Sequence, residues 1–388
     1  MIIIYSFRAA NIQTFRKLSY LCKRKFARTG CISAKSKLSA LDLHCPCTEN
    51  LKIMKKITTI LALLAMVICG SAKTKTNESM VTYHKVQVLE QREQSDARID
   101  SAESRQNSKK LQVEDCKVFY REAGSKDKPA VLLLHGFPSS SHMFRELMPE
   151  LADEYHLIAP DFPSFGQTES PSREEFEYSF DHLAKIVDKF TEQIGLTKFA
   201  MYVFDYGAPI GYRLAMWHPE RITAIISQNG NMYEEGLGKK WEARKAYWKN
   251  PTPELRQQFS SAFALETIIG QYTFGTPEGS VGPDGYSLDF YYVNLSGRAE
   301  MQNDLILDYR SNVALYPQFQ QYLRDNHPPL LAVWGENDPS FIPAGANAFK
   351  RDVPNAEIHF VPSGHFALES HHMEIARLMK EFLHKVLK

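Results

Sequence analysis

The chain has 388 residues, 44% of them hydrophobic and 23% charged, with a formal net charge of +1. That balance suits one large folded domain, or one domain with an insertion, and excludes a disordered low-complexity chain. Near-neutral charge supplies no electrostatic argument for nucleic acid or an anionic membrane as partner, and no repeat marks a solenoid or propeller.

The first segment differs from the rest. Met1 to Ala40 is rich in Lys and Arg and has no acidic residue. MKKITTILALLAMVICGSAKT then begins at Met54, with Lys55 and Lys56 as a positive start, Ile57 to Ile68 as a short apolar run, and small residues at Gly70 and Ala72. This predicts a secretory signal peptide over 54–72, translation from Met54, residues 1–53 as an upstream extension without a folded role, and a periplasmic or secreted mature protein. A basic organellar presequence is the rival reading. A lipid anchor at Cys69, the single route by which the mature chain would meet a membrane, is disfavoured by Ile68, where a small residue is wanted. Cys22, Cys31, Cys45 and Cys47 lie upstream and Cys69 in the signal, so Cys116 alone remains and no internal disulfide is expected. Cys45 and Cys47 have no His or Cys at metal-ligand spacing.

Residues 73–111 are polar and charged and read as a linker or long N-terminal loop. Alternating runs flank it, TYHKVQV before and KLQVEDCKVFYREAG after, and suggest antiparallel edge strands joined by an unusually long connection. From Pro129 the pattern is regular. AVLLLHG is a strand buried on both faces, SSSHMFRELMPELAD a helix capped by serine, and YHLIAPD a second buried strand. FDHLAKIVDKFTEQIGL has helical spacing and a Gly near its stop, KFAMYVFD is a strand, YGAPIGYRLAMWHPE a helix and RITAIISQNG a strand. Residues 231–326 break the alternation: they are helix-like, aromatic-rich and punctuated by Pro and Gly. Strands resume at PLLAVWGENDP and AEIHFVPSGHFALE, and HHMEIARLMKEFLHKVL is a last helix. The pattern predicts an α/β fold: a mostly parallel sheet with helices on both faces, a core over 112–230 and 327–388, and a helical cap over 231–326. Ligands bind at the carboxyl ends of such strands, so the cap covers the expected site.

Three polar residues follow strands at that end: Asp205 after MYVF, Asp338 after LLAVWGEN and His365 after IHFVPSG. Nucleophile, acid and histidine in that chain order form a hydrolytic triad. YVFDYGAPIG reads as a sharp strand-to-helix turn with Asp205 at its apex, and its crowding asks for small neighbours. Gly207, Ala208 and Gly211 supply them; Val203, where glycine is common, is a departure. The helix start favours the ionised carboxylate, the only nucleophilic form. His135 reads as shaping its loop, Asp161 as organising a turn, His218 as structural, and His371 and His372 as solvated helix residues. Trp241 and Trp248, seven residues apart on one helical face, read as packing.

Residues 112–388 resemble the aspartate-nucleophile branch of the α/β-hydrolases, namely soluble epoxide hydrolases and haloalkane dehalogenases. HGFP at 135–138 is similar to the H-G-x-P motif of the epoxide hydrolases, APDFPSFGQTESP to their next strand-end loop, DYG to their D-W-G, and SGHFALE to the histidine loop of both families. The resemblance implies the α/β-hydrolase fold and a two-step reaction on a small apolar electrophile. Asp205 forms an alkyl-enzyme ester, and His365, oriented by Asp338, activates the water that hydrolyses it. It also implies an oxyanion hole from the backbone N–H groups of Phe137 and Tyr206, and a cis Phe137–Pro138 bond. No metal or organic cofactor is expected.

Epoxide opening needs proton donors, and the resemblance assigns one to Tyr309 in LDYRSN. For a second, Tyr272 in GQYTFG is preferred over Tyr247 in KAYWKNP. Dehalogenases instead bind halide through N–H donors, commonly a Trp after the nucleophile; here that residue is Tyr206, and Phe137 stands where some have Asn. Trp241 and Trp248 are the remaining candidate donors, and Val203 resembles some dehalogenase elbows. Epoxide hydrolysis is thus the first reading, haloalkane dehalogenation the second, and a hydrolase-like ligand-binding protein the third.

Overall fold

The computed structural model describes residues 106–387. The expected signal peptide at 54–72, the upstream 1–53 and the strand-like TYHKVQV lie outside them. Strands β1 (Asn107–Val113) and β2 (Cys116–Ala123) form a hairpin through Glu114 and Asp115, with Glu114 at φ 48°. The partner of β2 is therefore its immediate neighbour, and the polar segment expected to run to 111 ends before Asn107. The mismatch has a physical cause: the first four residues of β1, on the sheet edge, are exposed, so its sequence reads as loop.

Next come β3 (Ala130–Leu134), α1 (Leu147–Leu151), β4 (His156–Pro160), α2 (Phe180–Gln193), β5 (Phe199–Phe204), α3 (Gly207–Trp217) and β6 (Ile222–Gln228). The single helix expected at SSSHMFRELMPELAD is broken: a 3-10 turn spans Ser141–Phe144 with Ser140 as its cap, and α1 follows separately. After β6 the chain runs through α4 (Trp241–Lys249), α5 (Pro253–Gln258), α6 (Leu265–Thr273), α7 (Pro283–Val293) and α8 (Arg298–Asn326). It closes with β7 (Leu330–Gly335), α9 (Pro343–Asp352), β8 (Glu357–Val361) and α10 (Ala367–Val386). The sheet has eight strands in the order β1-β2-β4-β3-β5-β6-β7-β8. β1, β2 and β4 pair antiparallel, and every other pair is parallel. The cap lies between β6 and β7, as expected. No helix among the described residues is long and apolar enough to cross a membrane.

The burial follows the apolar patterning. Every residue of β5 and β7 is buried, as helices on both faces require. In α2 the stripe Leu183, Ile186, Val187 and Phe190 is buried, Ser179 caps the N-terminus by accepting from the His182 amide at 3.3 Å, and Gly195 at φ 73° follows the end. The chain leaves β3 for β4 on one side and β5 on the other, so the ends of β3 and β5 form the crevice where this sheet binds ligands.

Two glycines let the elbow close. A Cβ on Gly207 would overlap the carbonyl oxygens of Leu134 and His135, and one on Gly211 would lie 2.6 Å from Val203 Cγ1. Val203 therefore replaces a glycine without penalty because its helical neighbour has no side chain. Gly270, inside α6, faces open space. Gly207→Ala is expected to destabilise the protein by about 3 kcal/mol or prevent folding, whereas Gly270→Ala gains about 0.5–1 kcal/mol. Denaturant unfolding of the two variants checks this; equal effects would show that the crowding at the elbow is relieved elsewhere.

Candidate active site

Asp205 sits between β5 and α3 in the left-handed region at φ 47°. A non-glycine residue held there costs about 1–3 kcal/mol and persists only when its surroundings fix it. The fixing contact is visible: the Phe137 amide, on the loop after β3, donates to Asp205 Oδ1 at 2.8 Å. The Phe137–Pro138 bond is cis, as expected. The other carboxylate oxygen, Oδ2, faces His365 Nε2 at 3.5 Å. His365 Nδ1 in turn bonds Asp338 Oδ2 at 2.7 Å. The three residues named from the sequence thus meet in space, all buried.

Asp338 is more heavily held than its sequence context suggests. Its Oδ1 accepts from the amides of Ser340 (2.7 Å) and Phe341 (3.1 Å), and its Oδ2 accepts from Asn229 Nδ2 at 2.7 Å as well as from His365. Asn229 follows β6 at φ 47°, and its own Oδ1 accepts from the Gly335 amide at 2.9 Å. Asn229 thus ties the ends of β6 and β7 to the acid. Sequence reasoning missed it, although SQNGN after a buried strand carried the signal of an Asn in a tight turn. Gln228 Nε2 donates to the His365 carbonyl at 3.2 Å and fixes the histidine loop.

The ring of His365 feels opposing forces. Burial favours the neutral imidazole, but the charges of and hydrogen bonds to Asp338 and Asp205 outweigh it and raise the pKa to about 10. His135 is the opposite case: burial lowers it to about 3, its Nε2 accepts from the Phe162 amide at 3.1 Å, and its ring stacks on Phe162. It shapes the loop, as expected. Asp161 organises the neighbouring turn by accepting from the amides of Ser141 (2.7 Å) and Gln167 (2.8 Å).

The cap closes the site with aromatic rings. Tyr309 on α8 packs against Tyr206 (centroids 5.7 Å apart), Trp241 (4.6 Å), Trp248 (6.1 Å) and Phe180 (5.4 Å). Its hydroxyl lies 3.3 Å from that of Tyr316, two turns further along the same helix. Burial pushes both phenols up, and the charge of Asp205 adds to the shift of each. Tyr316 was not anticipated, although its spacing of seven from Tyr309 places it on the same helical face. Tyr272, preferred from the sequence as the second donor, is engaged elsewhere: its hydroxyl donates to Asp289 and its ring stacks on Phe366 at 3.9 Å. Tyr247 is buried against Phe259. Trp241 and Trp248 pack on each other at 5.9 Å, and their indole N–H groups donate to the carbonyls of Ser340 (3.0 Å) and Ile306 (2.9 Å).

The histidine geometry is open to a direct measurement. Since Asp205 contributes to the raised pKa, Asp205→Asn is expected to bring the His365 value down from about 10, read from the imidazole NMR resonances. An unchanged value would mean that the Asp205 charge does not reach the ring.

The family model described as "alpha/beta hydrolase fold" matches residues 129–372. An uncharacterized hydrolase of Saccharomyces cerevisiae is 47% identical over 273 residues, 69% of this chain and 93% of that protein. A haloalkane dehalogenase of Psychrobacter cryohalolentis is 24% identical over 288 residues, 70% of this chain and 88% of that enzyme. Among solved structures, a haloalkane dehalogenase of Bradyrhizobium elkani superposes with a TM-score of 0.62 at 22% identity, over 73% of this chain and 99% of that one. A Pseudomonas aeruginosa protein provisionally assigned as an epoxide hydrolase gives 0.59 at 20%, over 72% and 96%. Eight strands in this order, a helical cap between β6 and β7, and a family match across both make the chain a member of the α/β-hydrolase fold family.

Proposed function

We propose that this hydrolase converts an epoxide to a diol through a covalent ester on Asp205. The observation that carries the choice of substrate is in the cap. Tyr309 packs on Tyr206, the neighbour of Asp205, and its hydroxyl pairs with that of Tyr316, while the two cap indoles spend their N–H groups on backbone carbonyls. A departing alkoxide needs a proton, which a phenol gives; a departing halide needs N–H donors, which these indoles no longer offer.

In this reading Asp205 Oδ2 attacks an epoxide carbon, while Oδ1 keeps its bond to the Phe137 amide. Tyr309 protonates the opened oxygen. Esterification neutralises Asp205 and so removes one of the two carboxylates that hold the proton on His365. The imidazolium then loses its proton as the cap phenolate regains one, and the neutral ring, oriented through Nδ1 by Asp338, takes a proton from water. Hydroxide attacks the Asp205 carbonyl carbon. The tetrahedral oxyanion develops on Oδ1, where the Phe137 amide already points and the Tyr206 amide is the proposed second donor. No step calls for a metal or an organic cofactor. The sequence similarity to haloalkane dehalogenases favours halide release as the second reading.

Assays against alkyl and aryl epoxides and bromoalkanes separate the readings: diol without bromide is expected, and bromide without diol overturns the epoxide assignment. In a single turnover with heavy-oxygen water, label is expected in Asp205 and not in the diol, because the diol takes its new oxygen from the carboxylate. Asp205→Asn is expected to lower turnover by about 10,000-fold or more, and Tyr309→Phe to slow ring opening by about 100-fold.

A further inference from the structure

We infer that Asn231, in the loop after β6, is a positioning residue that sets the direction of proton flow through the two phenols, with Tyr316 as the proton source and Tyr309 as the donor to substrate. The inference rests on the epoxide reading above and adds a residue to it.

The Asn231 amide has a fixed orientation. Its Nδ2 donates to the Tyr233 carbonyl at 2.8 Å, and its Oδ1 accepts from the Tyr233 amide at 3.3 Å. A flipped side chain would set carbonyl against carbonyl and N–H against N–H, so the backbone of Tyr233 decides which atom is nitrogen. Space reinforces the choice. Gly236 and Gly345 lie so close that a Cβ on either would overlap Asn231 Oδ1. The remaining Nδ2 hydrogen is directed to the Tyr316 hydroxyl at 3.4 Å. An amide nitrogen only donates, so the Tyr316 oxygen accepts there and its own proton points elsewhere. Its other hydroxyl neighbour is Tyr309 at 3.3 Å. In the proposed arrangement Tyr316 donates to Tyr309, which gives the buried Tyr316 proton an acceptor and leaves the Tyr309 proton for the leaving oxygen.

The same contacts favour charge on Tyr316 after transfer. Burial pushes its phenol up, but once Tyr309 holds the shared proton the Tyr316 oxygen accepts from both Tyr309 and Asn231, and two donors offset part of that burial. The steps balance. The Asp205 Oδ2–carbon bond forms, and the epoxide carbon–oxygen bond breaks with its electron pair on oxygen. That oxygen takes the Tyr309 proton, Tyr309 takes the Tyr316 proton, and negative charge rests on Tyr316 between two donors. The His365 imidazolium, no longer facing a charged Asp205, loses a proton and the phenolate regains one, so the charge of the site is unchanged. Hydrolysis then consumes one water, restores the Asp205 carboxylate and leaves His365 protonated again.

The test is a pair of variants and their combination, followed by rapid-quench measurement of ester formation and ester hydrolysis on an epoxide. Asn231→Asp keeps the oxygen that accepts from the Tyr233 amide and loses both Nδ2 bonds, to the Tyr233 carbonyl and to Tyr316; Tyr316→Phe removes the proton source. Each is expected to slow ester formation by about 10-fold and to leave ester hydrolysis within about 2-fold. The double variant is expected to be no slower than Tyr316→Phe, since Asn231 acts only through that hydroxyl. Multiplying effects, or ester hydrolysis slowed equally, would reveal a merely structural Asn231 and overturn the relay. Where Asn231→Asp does not fold, Tyr316→Phe with unchanged ester formation overturns it alone. A wild-type protein that opens no epoxide fails the functional reading and the relay with it, whereas one that opens epoxides with uncoupled variants fails the relay only.

Discussion

The structure is organised around one strained residue. Asp205 at φ 47° is held in a conformation that costs a non-glycine residue about 1–3 kcal/mol, and the crevice around it exists to keep it there. Two neighbouring strands and a helix share the task. β5 delivers the residue, and the loop after β3 reaches across to bind Oδ1 through the Phe137 amide. Gly207 lets α3 start directly against the carbonyl of Leu134. The β3–β5 pairing is parallel, so both strands end on the same side and this handshake needs no long loop. Loss of either glycine clearance or amide would let the backbone relax and carry the carboxylate away from His365.

Charge is the second constraint. Two carboxylates and an imidazole are packed into a nearly dry space, where unpaired charges would be prohibitive. The solution is asymmetric. Asp338 is saturated by two amides, Asn229 and His365, which leaves it nothing to offer as a nucleophile. Asp205 has one oxygen bound by an amide and the other facing the histidine at a longer 3.5 Å. Identical functional groups thus take different roles because their donor sets differ. The raised pKa of His365 reports the ground state of this arrangement, in which the ring bridges two anions.

Much of this was legible in the sequence, for definable reasons. Continuous apolar runs gave the buried strands, because parallel strands covered on both faces show no alternation. Residues 231–326 stood out as helical because the period changed there. Asp205, Asp338 and His365 were readable because each follows a strand, and strand ends share one side of the sheet. The misses have equally plain causes. β1 looks like loop because an edge strand tolerates a polar sequence. The helix expected at SSSHMFRELMPELAD is broken into two short pieces, a change that leaves the apolar spacing intact. Nothing local sets Tyr272 apart from the other cap tyrosines; a buried carboxylate, Asp289, claims it, and only packing reveals that. Asn229 and Asn231 act through contacts across the sheet ends, which no local window contains.

The cap contributes its phenols from a position that the core dictates. Arg213 on α3 is buried and donates to Asn312 Oδ1 on α8 at 2.7 Å, while Asp308 on α8 accepts from the Phe180 amide at the start of α2 at 2.7 Å. These two anchors bracket Tyr309. Tyr316, one turn beyond Asn312, is reached from the end of β6 by Asn231. Hence α8 belongs to the cap by sequence but is pinned to three core elements around the elbow. The helix is 29 residues, about 43 Å, long, with Pro317 inside it beside Tyr316, so it is Tyr309, between the two anchors, that they register directly. Tyr309 is therefore held relative to the elbow at Asp205 by contacts with the core. On the proposed reading, the junction of α3 and α8 is what fixes the choice of leaving group.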